Sequence, residues 1–234
     1  SVGELTVIGD FDKDLVVPAV EEFTKDWKSV ASFERISRIS VNNTTGDFTK
    51  INTPDKANAA YFAAMTLPMK DSHPDYPALA IGNFVLGAGG LSSRLADRVR
   101  QKDGLSYTVQ SNLAPSAVDE RTSFYVFAIS NPENATKLHE AIQEELKRLV
   151  DDGITQEELD QAKEGYLQSQ QVARTEETSL IPLLEAYAFI GRDMKFVADY
   201  ETKVRNLTVE DVNAALKKHV KPERLFIVSA GDFK

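Results

Sequence analysis

Arg100 and Tyr107, seven positions apart, carry the most specific chemical possibility in the sequence. The residues before them predict a helix starting near Ser92, and Gly104 between them predicts its end in a left-handed turn. The spacing then places a fixed cation and a phenol near each other on either side of one helix-ending turn. Leu95 and Val99 fall on the inward face of that helix, so Arg100 lies beside the buried stripe, within reach of Asp97 or Asp103. From spacing alone, a surface ion pair worth under about 1 kcal/mol and a functional cation both remain open.

Other chemistries find less support. The chain has three histidines, His73, His139 and His219, far apart in sequence. The stretch from His139 to Gln143 fails the HExxH zinc pattern because Gln143 stands where the second imidazole is required. It does not fit the inverted HxxEH form either. On the expected helix, Leu138, Ile142 and Leu146 form the buried stripe and His139 falls towards solvent. No metal is expected in this chain. No GxSxG elbow positions a serine nucleophile, and Ser92, Ser93 and Ser106 have no histidine nearby in sequence. The turn Gly87-Ala88-Gly89-Gly90 lacks the Lys-Ser/Thr ending of a phosphate loop and the strand that should precede it. It reads as a hinge between two helices, with Ser92 or Ser93 as the N-cap of the second.

The elements that must hold these residues follow from apolar periodicity. Strands are expected over Glu4–Gly9, Ala57–Leu67, Ser106–Leu113, Thr122–Ser130 and Arg224–Ala230, with the third and fourth paired antiparallel. A helix from about Leu15 to Trp27 should bury Val16, Val20, Phe23 and Trp27. Lys28–Asp55 reads as a surface excursion with short strands and a turn at Asn42–Asp47. Tyr76–Leu86 is an apolar helix leading into the glycine turn, and Pro132–Asp152 carries Leu138, Ile142, Leu146 and Leu149 on one stripe. Thr155–Glu158 has the residues of a capping box, and Thr208–Asp211 starts a helix with an acidic first turn. Further helices are expected through about Arg174, over Ser179–Gly191 and near Phe196–Arg205. The fold class is α+β, a two-layer domain with a mostly antiparallel sheet packed against helices. No Pro- or Ser-rich linker divides the chain, so residues 1–234 are expected to form one domain. Gly-Asp-Phe recurs at Gly9 and Gly231 as a faint sign of a repeat.

Composition excludes several classes. There are 27 basic against 36 acidic residues, a formal charge of -9, and no clustered cations, so nucleic acid is not an expected partner. No apolar run approaches the roughly 20 residues of a membrane-spanning helix. The absence of cysteine removes disulfides and thiolate chemistry together. A start without Met or signal segment is expected of a mature form or a piece excised from something longer.

The runs Gly89-Gly90-Leu91-Ser92-Ser93-Arg94-Leu95 and Val99-Arg100-Gln101-Lys102-Asp103-Gly104-Leu105-Ser106-Tyr107 resemble the signature of the zinc-free half of pitrilysin/insulinase-type metallopeptidases, the group that includes mitochondrial processing peptidase. VIGDFD at Val7–Asp12, DYPALAIGNFVLG before the glycine turn and GITQEELDQAK at Gly153–Lys163 extend the resemblance along most of the chain. The resemblance implies one of two homologous α+β halves around a chamber, the other half carrying HxxEH and the zinc. It implies that Arg100 and Tyr107 reach the substrate carbonyl and stabilise its oxyanion at that zinc. The expected partners are therefore an HxxEH-bearing half, in the same polypeptide or a separate subunit, and a peptide substrate. No cofactor is expected in this chain, and the isolated chain is expected to be inactive. A non-catalytic assembly module of the same fold is the alternative. Compartment stays open, the resemblance leaning to a bacterial periplasm.

Overall fold

The computed structural model describes residues 3–41 and 44–233. Asn42 and Asn43, which open the expected Asn42–Asp47 turn, lie outside the described residues. The chain divides into two compact units: residues up to Ser37 together with Ser169–Val197, and Arg38–Gln168 together with the residues from Ala198 onward.

The larger unit is built on a five-stranded sheet. Its strands are β1 (Asp47–Asn52), β2 (Ala59–Leu67), β3 (Ser106–Pro115), β4 (Thr122–Ser130) and β5 (Phe226–Gly231), in the spatial order β1-β5-β2-β4-β3. Only β1 and β5 run parallel; the other three pairings are antiparallel, as the alternating apolar patterns require. In β2 the side chains of Tyr61, Ala63, Met65 and Leu67 point into the core, while Phe62 between them is partly exposed. That period of two is what a sheet covered on one face demands.

Helices form the second layer. They are α2 (Tyr76–Asn83), α3 (Ala135–Asp151), the first part of α4 (Gln156–Ala173), the latter part of α6 (Met194–Asn206) and α7 (Val209–His219). On α3, Leu138, Ile142, Leu146 and Leu149 are all buried, one apolar stripe at helical spacing packed over the sheet. Thr208 caps α7 with a full capping box, its hydroxyl accepting from the Asp211 amide and the Asp211 carboxylate accepting from the Thr208 amide. Tyr76, Tyr166 and Tyr200 cluster inside this layer with ring centroids 5.9 and 6.4 Å apart, and burial raises all three phenol pKa values.

The smaller unit contains α1 (Lys13–Thr24), α5 (Glu177–Ile190), the end of α4 and the start of α6. Two expectations fail here. Residues 4–9 form no strand, since no strand among the described residues pairs with their backbone. The face of α1 expected to be core holds no buried residue, and Phe23 and Trp27 pack edge-on against each other at 5.6 Å.

Candidate functional site

Arg100 and Tyr107 sit at the two ends of one tight connection between a helix and the edge strand β3. After α2 the chain widens into a π-helical turn over Phe84–Ala88, passes the glycines, and forms a second π-helical stretch over Ala96–Lys102. Both stretches pack against β3. A π turn accommodates one more residue than an α turn, and such turns concentrate at functional sites. The Gly87 α-carbon lies so close to β3 that a Cβ there would come within 2.6 Å of the Ser111 amide nitrogen. This glycine serves close approach, which differs from the hinge expected from sequence. Ser93 caps the second helix, its Oγ accepting from the Ala96 amide at 3.4 Å.

Arg94 and Glu158 tether this helix to α4. Arg94 Nε and an Nη each reach a different Glu158 oxygen at 2.7 Å, and the same Nη donates to the Gly153 carbonyl at 2.8 Å. Glu158 also accepts from the Thr155 amide, while its own amide donates to the Thr155 hydroxyl, completing the expected capping box. Burial pushes the Glu158 carboxyl pKa up, but the Arg94 and Thr155 hydrogen bonds outweigh it and the net shift is downward.

Leu95 and Val99 are fully buried, as the periodicity predicts, and Arg100 is exposed. Of the two readings that the spacing leaves open, the ion pair of Arg100 with Asp97 or Asp103 is not formed among the described residues. Asp97 pairs with Lys102 at 2.6 Å, and Asp103 pairs with Arg98 at 2.8 Å. The π-helical path changes which side chains meet. Among the described residues, Arg100 makes no hydrogen bond or ion pair.

Gly104 ends the helix at φ +61°, the left-handed conformation anticipated. The Asp103 amide donates to the Arg98 carbonyl at 3.0 Å and the Leu105 amide to Val99 at 2.9 Å, closing the turn. A Cβ at Gly104 would meet no neighbour within 4 Å, so Gly104→Ala tests backbone strain alone. The expected loss is about 1–2 kcal/mol in chemical denaturation.

Tyr107 is 89% exposed and falls at a β-bulge, where the register with β4 jumps from Ser106 to Thr108. Bulges re-aim side chains, and this one leaves Tyr107 outside the ladder pairing. Buried Ser106 holds it: its Oγ accepts from the Thr108 amide at 3.1 Å, and its single proton can go to the carbonyl of Ile129 or Thr108. Ser106→Ala should cost about 1 kcal/mol and loosen the bulge, read as faster amide exchange at Thr108 with the rest of β3 unchanged.

The histidines depart from their sequence reading. His139 is half-buried, stacked on Phe48 at 4.5 Å with Nδ1 3.2 Å from the Tyr61 hydroxyl, and burial lowers its pKa. The helix stripe did not reveal this, because β1 supplies the second wall. The same burial pushes the Tyr61 phenol up to about 12. His73 and His219 come together around Asp75, an arrangement that sequence separation concealed.

No described helix is long and apolar enough to cross a membrane. A model of the family described as "Peptidase M16 inactive domain" matches residues 4–166. A Helicobacter pylori protein named "Non-peptidase homolog YmxG" is 26% identical over 170 residues, 73% of this chain and 39% of that protein. An uncharacterized zinc protease of Streptomyces coelicolor is 30% identical over 141 residues, 60% of this chain and 30% of its own length. The crystal structure of a peptidase M16 inactive domain from Pseudomonas fluorescens superposes with a TM-score of 0.75 at 26% identity, covering 95% of this chain and 52% of that one. The chain thus spans well under half the length of these two curated relatives and about half of that solved chain. With a mixed sheet backed by helices, and with the family match running through both Arg100 and Tyr107, the chain belongs to the Peptidase M16 inactive domain family.

Proposed function

We propose that these 234 residues act as one domain, the non-metal half of a zinc-dependent endopeptidase in the sense that it carries no catalytic zinc, and that Arg100 and Tyr107 hold the substrate carbonyl at a zinc site supplied by an HxxEH-bearing partner half. The observation that carries this reading is the state of the two side chains. On a helix whose other charges are paired, Arg100 makes no hydrogen bond or ion pair among the described residues, and a bulge presents Tyr107 to solvent. A permanent cation and a phenolic donor on either side of one helix-ending turn are the kinds of group a developing oxyanion requires. Zinc, when bound by the partner half, supplies the activated water. This chain contributes orientation of the peptide and two donors whose backbone Gly104, Ser106 and the Arg94–Glu158 tether hold in place.

The test combines the chain with zinc and an HxxEH-bearing half and compares peptide turnover for wild type, Arg100→Ala and Tyr107→Phe. Equal turnover in all three would sink the proposal. The Helicobacter relative named as a non-peptidase homolog favours a second reading, an assembly module of the same fold. That reading expects no turnover at all with an intact zinc half, while stable association persists.

A further inference from the structure

We propose that His73, Asp75 and His219 form a binding site for a divalent transition metal of the zinc class, a clip fastening the start of α2 to the end of α7. The site is remote in sequence from Arg100 and Tyr107, and the proposal is independent of their role.

Asp75 is the N-cap residue of α2, His73 lies in the turn before it, and His219 is the final residue of α7. One ligand-capable atom from each of the three lies within 4.8 Å of the other two, and all three residues are partly buried. His219 Nε2 is 2.7 Å from Asp75 Oδ2. The His73 and His219 rings stand edge-on to each other, with centroids 5.6 Å apart and planes at 87°. Ligands on a tetrahedral zinc with bonds of about 2.0–2.1 Å lie roughly 3.3–3.5 Å apart. One pair is already inside that separation, and the widest, within 4.8 Å, needs to close by at most about 1.5 Å, within reach of side-chain rotation.

The donor chemistry fits: two imidazoles and one carboxylate suit zinc, cobalt(II) or nickel, and partial exposure leaves room for a water as a further ligand. Hard, oxygen-seeking calcium or magnesium would be poorly served. Three existing interactions must yield, the hydrogen bond between His219 Nε2 and Asp75 Oδ2 being the first. Lys218 Nζ sits 2.8 Å from the same Asp75 Oδ2, so an ammonium occupies ground the metal would take. The Asp75 amide donates to His73 Nδ1 at 3.0 Å. If His73 ligates through Nδ1, the metal takes the lone pair that now accepts this bond. If it ligates through Nε2, the ring proton moves to Nδ1. Either way the hydrogen bond is exchanged for a metal bond. The proton in the His219–Asp75 hydrogen bond leaves as the metal binds.

The chain, stripped with chelator, is titrated with zinc by calorimetry, and cobalt(II) serves as the spectroscopic probe. Expected are about one equivalent bound with a Kd of roughly 1 μM or tighter and visible d–d bands from an imidazole–carboxylate site. His73→Gln and His219→Gln should each weaken binding by about tenfold or more, with circular dichroism of the metal-free variants confirming the fold. Lys218→Met retains all three donors and removes the competing cation, so it should bind zinc at least as tightly as wild type. Absence of zinc binding in the wild type, wild-type affinity in both histidine variants, or loss of binding in Lys218→Met would overturn the assignment.

Discussion

Replacing Tyr107 with phenylalanine, in the presence of zinc and an HxxEH-bearing half, is expected to lower kcat by about 10²–10³. The substitution removes one hydroxyl from a side chain that is 89% exposed and fills no part of the core, so the unfolding midpoint should not move. A rate loss without a stability loss separates a substrate-contacting group from a packing residue. Arg100→Ala is expected to produce a loss of similar size, and Arg100→Lys to recover only part of it, since an ammonium restores charge without the planar fork. If both donors act on the transition state, kcat and kcat/KM fall together. A rise in KM alone would reassign them to ground-state peptide binding. Steady-state kinetics on a fluorogenic peptide distinguishes the outcomes.

The second large effect is on stability. Arg94→Met should cost about 2–3 kcal/mol in urea unfolding, because it strands a partly buried carboxylate and the Gly153 carbonyl together. Glu158 has a folded-state pKa below its unfolded value. Its contribution is therefore fully present above the unfolded pKa of about 4.3 and disappears as pH falls through the folded value. Glu158→Gln should flatten the acid side of the stability profile below about pH 4.3, leaving the neutral side merely lower. An unchanged acid limb would mean that another carboxylate governs it.

The parts of the fold legible in the sequence share a reason. Leu138, Ile142, Leu146 and Leu149 announce α3 because one face of a regular helix meets one core. Thr122–Ser130 announces β4 because alternation survives any choice of partner. Arg100 and Tyr107 could be named as candidates only, and Gly104 correctly places a left-handed turn between them. Their surroundings could not be read, because each depends on one extra residue. A π-helical stretch shifts the pairing of Asp97 and Asp103 away from Arg100, and a bulge sets Tyr107 outside the ladder. Periodicity assumes uniform geometry and is blind to such insertions. His139 and the His73–Asp75–His219 group were hidden differently, by contacts between elements distant along the chain. The expected strand at residues 4–9 failed because an apolar run does not become a strand without a neighbouring edge.

The position of β5 between β1 and β2 has a kinetic consequence. More than half the chain separates it from both strands it joins, while β3 and β4 are near neighbours in sequence. Local pairings can form early, whereas inserting β5 must wait for a large loop to close, a step whose entropic cost slows folding. Until then β2 presents an open backbone edge beside the apolar Phe62, a template for pairing with another chain. Refolding yield should therefore fall with protein concentration, and the aggregates that form should grow from the slot that β5 normally fills.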